Sequence, residues 1–96
     1  MQYYSTNNKN ELVDFKSAVM SGLASDGGLY LPEHIPQLSK SFLSDLSNLS
    51  MIDIAINIAE KFIEDEIEAG ALRRIIEESI TFHAPLVRLN ESISIL

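Results

Sequence analysis

The turn at residues 25–28, Ser-Asp-Gly-Gly, constrains this chain more than any other stretch, because it separates a helical pattern from a strand pattern. Asp-Gly and Gly-Gly are strong turn dipeptides, since glycine reaches positive φ at little cost. Apolar residues at helical spacing predict a helix over 15–23 before the turn, with Asp14 as its N-cap. A short strand over 29–31, closed by Pro32, is expected to follow. The sequence thus predicts a helix-turn-strand unit.

The rest of the chain adds mainly helices, so the predicted fold class is α+β, a small helical domain with short strands. Apolar stripes predict helices over 41–47, 51–64 and 68–81, the first capped by Ser39 or Ser41 and the second by Ser50. Strands are expected over 2–5, 86–89 and 92–96. The predicted core consists of Phe15, Val19, Leu23, Leu29, Ile54, Ile58, Phe62, Leu72, Ile75, Ile76 and Leu86.

Length and composition exclude several classes of protein. The chain has 96 residues, which suffices for one modest core but leaves little room for a deep catalytic cleft. Without cysteine there is neither a disulfide framework nor a thiolate zinc site. No apolar run is long enough to span a membrane, and the first residues do not have the pattern of a signal peptide. A cytoplasmic setting is therefore expected.

The charge balance predicts no nucleic-acid partner. The net charge is −7, whereas binding to phosphate backbones needs clustered lysine and arginine. Residues 60–78 alone contain seven acidic and three basic side chains. A solvated helical face is the simplest interpretation of this run, and a metal or partner site is the alternative.

Spacing alone predicts no catalytic, cofactor-binding or metal site. His34 and His83 lie beside prolines in predicted loops, without a second ligand one helical turn away. No nucleophile elbow or glycine-rich phosphate cradle is present. A lysine that forms a Schiff base needs a desolvated pocket, and none of the four lysines is expected to be buried. These lysines are Lys9, Lys16, Lys40 and Lys61.

The C-terminal residues suggest that the chain is part of a longer one. Ile95 and Leu96 end the chain in the middle of an alternating strand pattern, whereas natural termini usually fray in polar residues. A truncated chain is the expectation from this feature.

One longer run is more specific than any of these patterns. It includes Phe15, Ala18-Val19 and Gly22-Leu23-Ala24, followed by Asp26-Gly27-Gly28-Leu29-Tyr30 and Pro32. Together with Tyr4-Ser5-Thr6 before it, this order resembles the amino-terminal domain of threonine synthase. Two later segments, 59–67 and 82–87, look like the family's second helical block and its exit into the next strand.

The resemblance implies a parent enzyme of pyridoxal phosphate fold type II that converts O-phospho-L-homoserine and water to L-threonine and phosphate. The family's cofactor lysine lies in a His-Gly-Pro-Thr-x-x-Phe-Lys-Asp motif, and this sequence ends before such a motif. No catalytic or cofactor-binding residue can therefore be carried over, and this chain alone is expected to be inactive and to bind no cofactor. The expected division is 1–85 for the N-terminal domain and 86–96 for the start of the next strand.

The resemblance also implies partners. They are the pyridoxal-phosphate-binding domains of the same full-length chain and the small-molecule substrate, with no nucleic acid and no membrane. The isolated chain is expected to self-associate through apolar surface that those domains would cover.

A candidate cleft-facing or domain-packing segment is the run that carries the resemblance. The alternative is a tight helix-to-strand turn with its last two side chains in the core. The segment consists of Asp26, Gly27, Gly28, Leu29 and Tyr30.

Two other functions remain open from the sequence. The helices over 51–64 and 68–81 would suit a free-standing acidic module that binds a basic or apolar protein. A phospho-lyase similar to threonine synthase would share this N-terminal part, because substrate choice depends on the missing cleft.

Overall fold

A three-stranded antiparallel sheet brings the two ends of the helix-turn-strand unit together. The computed structural model describes all 96 residues. The order of the strands is β2-β1-β3, and Tyr3 in the central strand faces Val13 on one side and Pro32 on the other. Pro32 is tolerated because β3 is an edge strand. The strands are β1 (Gln2–Ser5), β2 (Leu12–Asp14) and β3 (Tyr30–Pro32).

Four α-helices complete the mixed architecture, as the α+β prediction expects. Two of them are followed by short 3-10 turns, at Leu46–Asn48 and Glu64–Glu66. No helix has the length and hydropathy needed to cross a bilayer. The helices are α1 (Phe15–Ser21), α2 (Lys40–Asp45), α3 (Met51–Ile63) and α4 (Ala69–Ser79).

Side-chain caps define where the helices begin. Asp14, Ser39 and Ser50 each accept a hydrogen bond from the backbone N–H three residues on, as predicted for N-caps. Glu68 caps α4 in the same way, through the amides of Gly70 and Ala71. The helix predicted over 15–23 ends earlier, at residue 21, because Gly22 takes a φ of 70°.

The core lies mainly between α3 and α4. Ile56, Ile63, Leu72 and Ile76 form one buried cluster. Of the predicted core, Leu72 and Ile76 are confirmed, whereas Phe15, Ile54 and Phe62 are half-buried. Six predicted core residues are exposed and were wrong: Val19, Leu23, Leu29, Ile58, Ile75 and Leu86.

Neighbouring apolar stripes explain three of these errors. On α3 the residues that pack inward are Ile52, Ala55, Ile56, Ala59 and Ile63, and Ile58 falls beside this row. Val19 likewise lies beside the buried Ala18 on α1, and Ile75 beside the buried Ile76 on α4. Helical spacing alone does not choose between two adjacent apolar stripes. Leu23 lies beyond the end of α1, and Leu86 precedes a hairpin whose residues are all exposed.

The hairpin forms the C-terminal end of the structure. Strands β4 (Val87–Arg88) and β5 (Ser94–Ile95) pair antiparallel, with Val87 opposite Ile95. Both strands are shorter than the predicted 86–89 and 92–96, and β2 was not predicted at all.

Candidate functional site

The Asp-Gly-Gly turn is tied to the end of β1 by its aspartate. One oxygen of Asp26, Oδ1, accepts hydrogen bonds from the Ser5 hydroxyl at 2.7 Å and from the Gly28 amide at 2.9 Å. The Asn7 side chain donates to the Asp26 carbonyl at 3.1 Å. The hydrogen bond from Ser5, followed by that from Gly28, lowers the pKa of Asp26. The turn is therefore held by an ionised acceptor at neutral pH.

Gly28 is required by space rather than by its backbone angles. A Cβ at this position would lie 2.1 Å from Ser5 Oγ and 2.9 Å from Thr6 Oγ1. Ser5 itself is only 2% exposed. By contrast, Gly27 has open space around it and a φ of 81°, which a side chain would strain. The two glycines therefore have different physical roles in one turn.

The structure thus brings all five predicted site residues to the end of β1. Asp26, Gly27 and Gly28 form the turn beside Ser5, Leu29 exchanges hydrogen bonds with Thr6, and Tyr30 pairs with Ser5 in the β1-β3 ladder. The side chain of Leu29 is 58% exposed, whereas that of Tyr30 is half-buried. The alternative that placed both Leu29 and Tyr30 in the core is wrong for Leu29. The exposed leucine borders an apolar groove.

This groove, of about 380 Å³, lies between α1 and β3. Apolar side chains dominate its walls, so it suits another apolar surface. Its lining residues are Tyr3, Phe15, Ala18, Val19, Gly22, Leu29, Tyr30 and Leu31.

Tyr3 at the base of the groove turns its hydroxyl toward α3. The hydroxyl donates to the carbonyl of Phe62 at 2.7 Å. Burial raises the pKa of Tyr3, and the carboxylates of Glu66 and Glu64 raise it further. The phenol is therefore a protonated, structural donor at neutral pH.

Glu66 makes a second long-range tie, which sequence reasoning missed. Its two carboxylate oxygens accept from the amides of Phe15 at 2.9 Å and Lys16 at 3.0 Å, in the first turn of α1. A carboxylate is favoured there because helix N-termini carry free N–H groups and partial positive charge. No local sequence signal could reveal it, because the partners are 51 and 50 residues apart.

The acidic run 60–78 is mostly exposed, yet several of its members have defined partners. Besides Glu66 and the α4 cap Glu68, Glu77 pairs with Arg73 at 3.2 Å. The structure contains no group of three or more metal-ligating side chains.

The histidines and lysines are dispersed. His34 borders a polar groove of about 710 Å³ beside Glu60 and Lys61, and His83 lies beside Phe82 at the far end of α4. All four lysines are exposed. None has the desolvated surroundings that a Schiff-base lysine needs, so these residues do not fit an aldehyde cofactor.

Comparison with known proteins gives a consistent result. The family described as "Threonine synthase N terminus" matches residues 2–80. A threonine synthase of Methylobacillus glycogenes is 39% identical over 79 residues, which is 82% of this chain and 16% of the relative. One from Eremothecium gossypii is 44% identical over 80 residues, which is 80% of this chain and 16% of the relative.

Two solved structures resemble the fold. The crystal structure of threonine synthase from Escherichia coli superposes with a TM-score of 0.89 at 28% identity, covering 98% of this chain and 22% of that one. The yeast enzyme gives a TM-score of 0.80 at 37% identity, covering 90% of this chain and 18% of that one. The chain thus spans about a fifth of the length of these relatives.

Proposed function

Because this chain belongs to the threonine synthase N-terminal family, we propose that it serves as the N-terminal domain of a threonine synthase. The in-order match over residues 2–80 carries this proposal. The fold likeness to the Escherichia coli enzyme, at a TM-score of 0.89, also supports it. The parent enzyme converts O-phospho-L-homoserine and water to L-threonine and phosphate.

Pyridoxal phosphate is the cofactor of this proposed enzyme, and when bound it supplies an electron sink for the proton transfers. The proposal assigns none of the residues of this chain to the cofactor, since its four lysines are all exposed. The proposal therefore places the cofactor and the reacting atoms in other domains of the same polypeptide, with 1–85 as the N-terminal domain. A cytoplasmic location is part of the same proposal.

The contribution of this chain is to pack beside those domains. Leu29 and the apolar groove between α1 and β3 form a surface suited to such packing. The turn formed by Asp26, Gly27 and Gly28 fixes the direction in which β3, with Tyr30, leaves α1. We therefore assign the 26–30 segment to domain packing rather than to contact with substrate.

The proposal is tested with the whole polypeptide encoded by the reading frame that contains these residues. With pyridoxal phosphate and O-phospho-L-homoserine, we expect equal amounts of threonine and phosphate. The 96-residue chain alone should release no phosphate. L-homoserine, which has no phosphate ester, serves as the control substrate.

Three results would contradict the proposal. Phosphate release by the 96-residue chain would show that catalysis does not need the other domains. No phosphate release by the whole polypeptide would show that it does not have the proposed activity. Formation of a 2-oxo acid and ammonia instead of threonine would favour the phospho-lyase, an alternative that, like the acidic binding module, the comparisons do not favour.

A further inference from the structure

Glu64, the residue at which α3 ends, has an unusual backbone conformation. Its φ of 53° and ψ of −136° lie close to those of the first central residue of a type II′ turn, where glycine is the usual residue. No other residue except glycine has a positive φ. A residue with a side chain is strained in this conformation, and such strain persists only where surrounding contacts hold it.

The contacts that hold this turn come from the other half of the fold. Tyr3 in β1 donates to the carbonyl of Phe62 at 2.7 Å, just before the turn. Just after it, the carboxylate of Glu66 accepts from the first two amides of α1 at 2.9 and 3.0 Å. The carboxylate of Glu64 itself pairs with the amino group of Met1. The strained turn therefore directs groups on both of its sides toward β1 and α1.

The covalent connection between these two halves does little to fix their orientation. The first half, the sheet unit, is residues 2–32 with the three strands and α1, and the second, the helix pair, is α3 with α4. No residue from 33 to 50 is buried, and residues 33–39 form neither helix nor strand. Phe15 is the residue of the sheet unit that packs against the buried cluster of the helix pair. The attachment of the sheet unit thus depends largely on Phe15 and on the contacts of 62–66.

We propose that the 62–66 segment is a conformational switch with a docked and a released arrangement. In the docked arrangement, which is that of the structure, the contacts from β1 and α1 offset the strain at Glu64. In the released arrangement these contacts are broken, Glu64 relaxes to a negative φ, and the sheet unit turns relative to the helix pair about residues 33–50. Because strain opposes the docked arrangement and lost contacts oppose the released one, both are populated.

Release changes the orientation of the surface that the sheet unit presents. The apolar groove between α1 and β3 and the turn at Asp26 both belong to the sheet unit and move with it. A partner surface that contacts the sheet unit and the helix pair together therefore selects the docked arrangement. The switch is a motion within these 96 residues, so it stands or falls separately from the proposed function.

Amide hydrogen exchange in the whole polypeptide distinguishes the two arrangements. The amides of Phe15 and Lys16 lie in the first turn of α1, have no acceptor within the helix and bond only to Glu66. Their protection therefore measures the docked arrangement. The amide of Leu72, which donates to the carbonyl of Glu68 at 2.9 Å within α4, measures the opening of the helix pair.

Two substitutions of Glu64 isolate the effect of strain. Glu64→Gly and Glu64→Ala both remove the carboxylate, but only glycine relieves the positive φ. We expect the amides of Phe15 and Lys16 to exchange about fivefold or more slowly in Glu64→Gly than in Glu64→Ala. The amide of Leu72 should exchange at the same rate in both variants.

A substitution in β1 tests the switch from the other side. Tyr3→Phe removes the hydroxyl that bonds to Phe62, and so should speed the exchange of the Phe15 and Lys16 amides without changing that of Leu72. Tyr30→Phe, which removes a hydroxyl from β3 instead, is the matched control and should leave all three rates unchanged.

Three outcomes would overturn the proposal. If glycine slows exchange equally at Phe15, Lys16 and Leu72, the strain acts on the unfolding of the whole domain and there is no separate released arrangement. If the two Glu64 variants do not differ at Phe15 and Lys16, the turn is not coupled to the contacts of α1. If Tyr3→Phe has no more effect than Tyr30→Phe, β1 does not hold the docked arrangement.

Discussion

The turns at Asp26 and Asn90 contain the same kind of local hydrogen bond but differ in their contacts with the rest of the chain. In both, a side-chain oxygen accepts from the backbone amide two residues on, Gly28 in one case and Ser92 in the other. Asp26 also accepts from Ser5, 21 residues away, whereas the bonds of Asn90 reach no further than three residues. The first turn joins two parts of the fold, and the second only shapes a hairpin.

The difference shows what integrates a turn into a fold. Around Asp26, Ser5 is almost fully buried and Gly28 leaves no room for a side chain. Around Asn90, every neighbouring side chain is exposed. Substitutions near Asp26 should therefore change the stability of the whole chain, and those near Asn90 should not.

Gly28→Ala should have the largest effect, because the new methyl group would overlap Ser5 Oγ, 2.1 Å from the ideal Cβ position. We expect it to lower the free energy of unfolding by about 2–3 kcal/mol, typical of overpacking at a tight site. Urea denaturation of the 96-residue chain, followed by circular dichroism, measures this change.

Two variants serve as controls for Gly28→Ala. Gly27→Ala meets no atom within 4 Å and should cost only about 1–2 kcal/mol, from its φ of 81°. Ser5→Ala should cost about 1 kcal/mol alone but should relieve part of the overlap when combined with Gly28→Ala. If the costs of Ser5→Ala and Gly28→Ala simply add, the steric explanation is wrong.

Acid should weaken the Asp26 tie. Hydrogen bonds from Ser5 and Gly28 lower the pKa of Asp26 in the folded chain. Its contribution to stability is therefore fully present above the unfolded pKa of about 3.9 and is lost as the pH falls through the lower folded pKa. Asp26→Asn should reduce the difference in unfolding free energy between about pH 6 and pH 3, measured by urea denaturation.

Asp65→Asn is the matched control for this pH dependence. Asp65 lies in the 3-10 turn after α3, and its exposed side chain has no hydrogen-bond or ion-pair partner. Its substitution should leave the pH profile close to that of the unsubstituted chain. If both substitutions weaken the pH dependence of the unfolding free energy equally, the loss of any negative charge, rather than the bond from Ser5 to Asp26, sets that dependence.

Glu66→Ala tests the other long-range polar tie, at the start of α1. Loss of the carboxylate leaves the amides of Phe15 and Lys16 without their acceptor, and we expect a cost of about 1 kcal/mol in urea denaturation. Asp65→Ala, one residue earlier, should cost less than about 0.5 kcal/mol. Equal costs would show that the contacts of Glu66 contribute nothing specific.

The same contrast between local and distant contacts explains what the sequence could predict. Asp14 and Ser50 were predicted as caps, and Ser39 as one of two candidates with Ser41. This was possible because a cap bonds to an amide only three residues away. Glu66 and Ser5 were missed because their partners lie far along the chain. Periodicity located α3 but did not select Ile56 over Ile58 as the inward residue, since that choice depends on where α4 packs.

The candidate site was predictable to a similar extent. The Asp-Gly and Gly-Gly dipeptides predicted the turn. The order of the motifs predicted the family, whose model matches residues 2–80. The exposure of Leu29 was not predictable, because a leucine beside a strand is equally consistent with a core and with a docking surface.

Asn90→Ala should have the smallest effect and gives the most direct test of the comparison. It removes the acceptor for the amides of Ser92 and Ile93, and so loosens the hairpin turn. No hairpin side chain is buried. We therefore expect the free energy of unfolding of the 96-residue chain, measured by urea denaturation, to fall by less than about 0.5 kcal/mol. Chemical shifts of the amides in 87–95 should change while those of 1–80 stay fixed. A loss as large as that from Ser5→Ala would mean that the hairpin is part of the cooperative unit, and the proposed distinction between the two turns would be wrong.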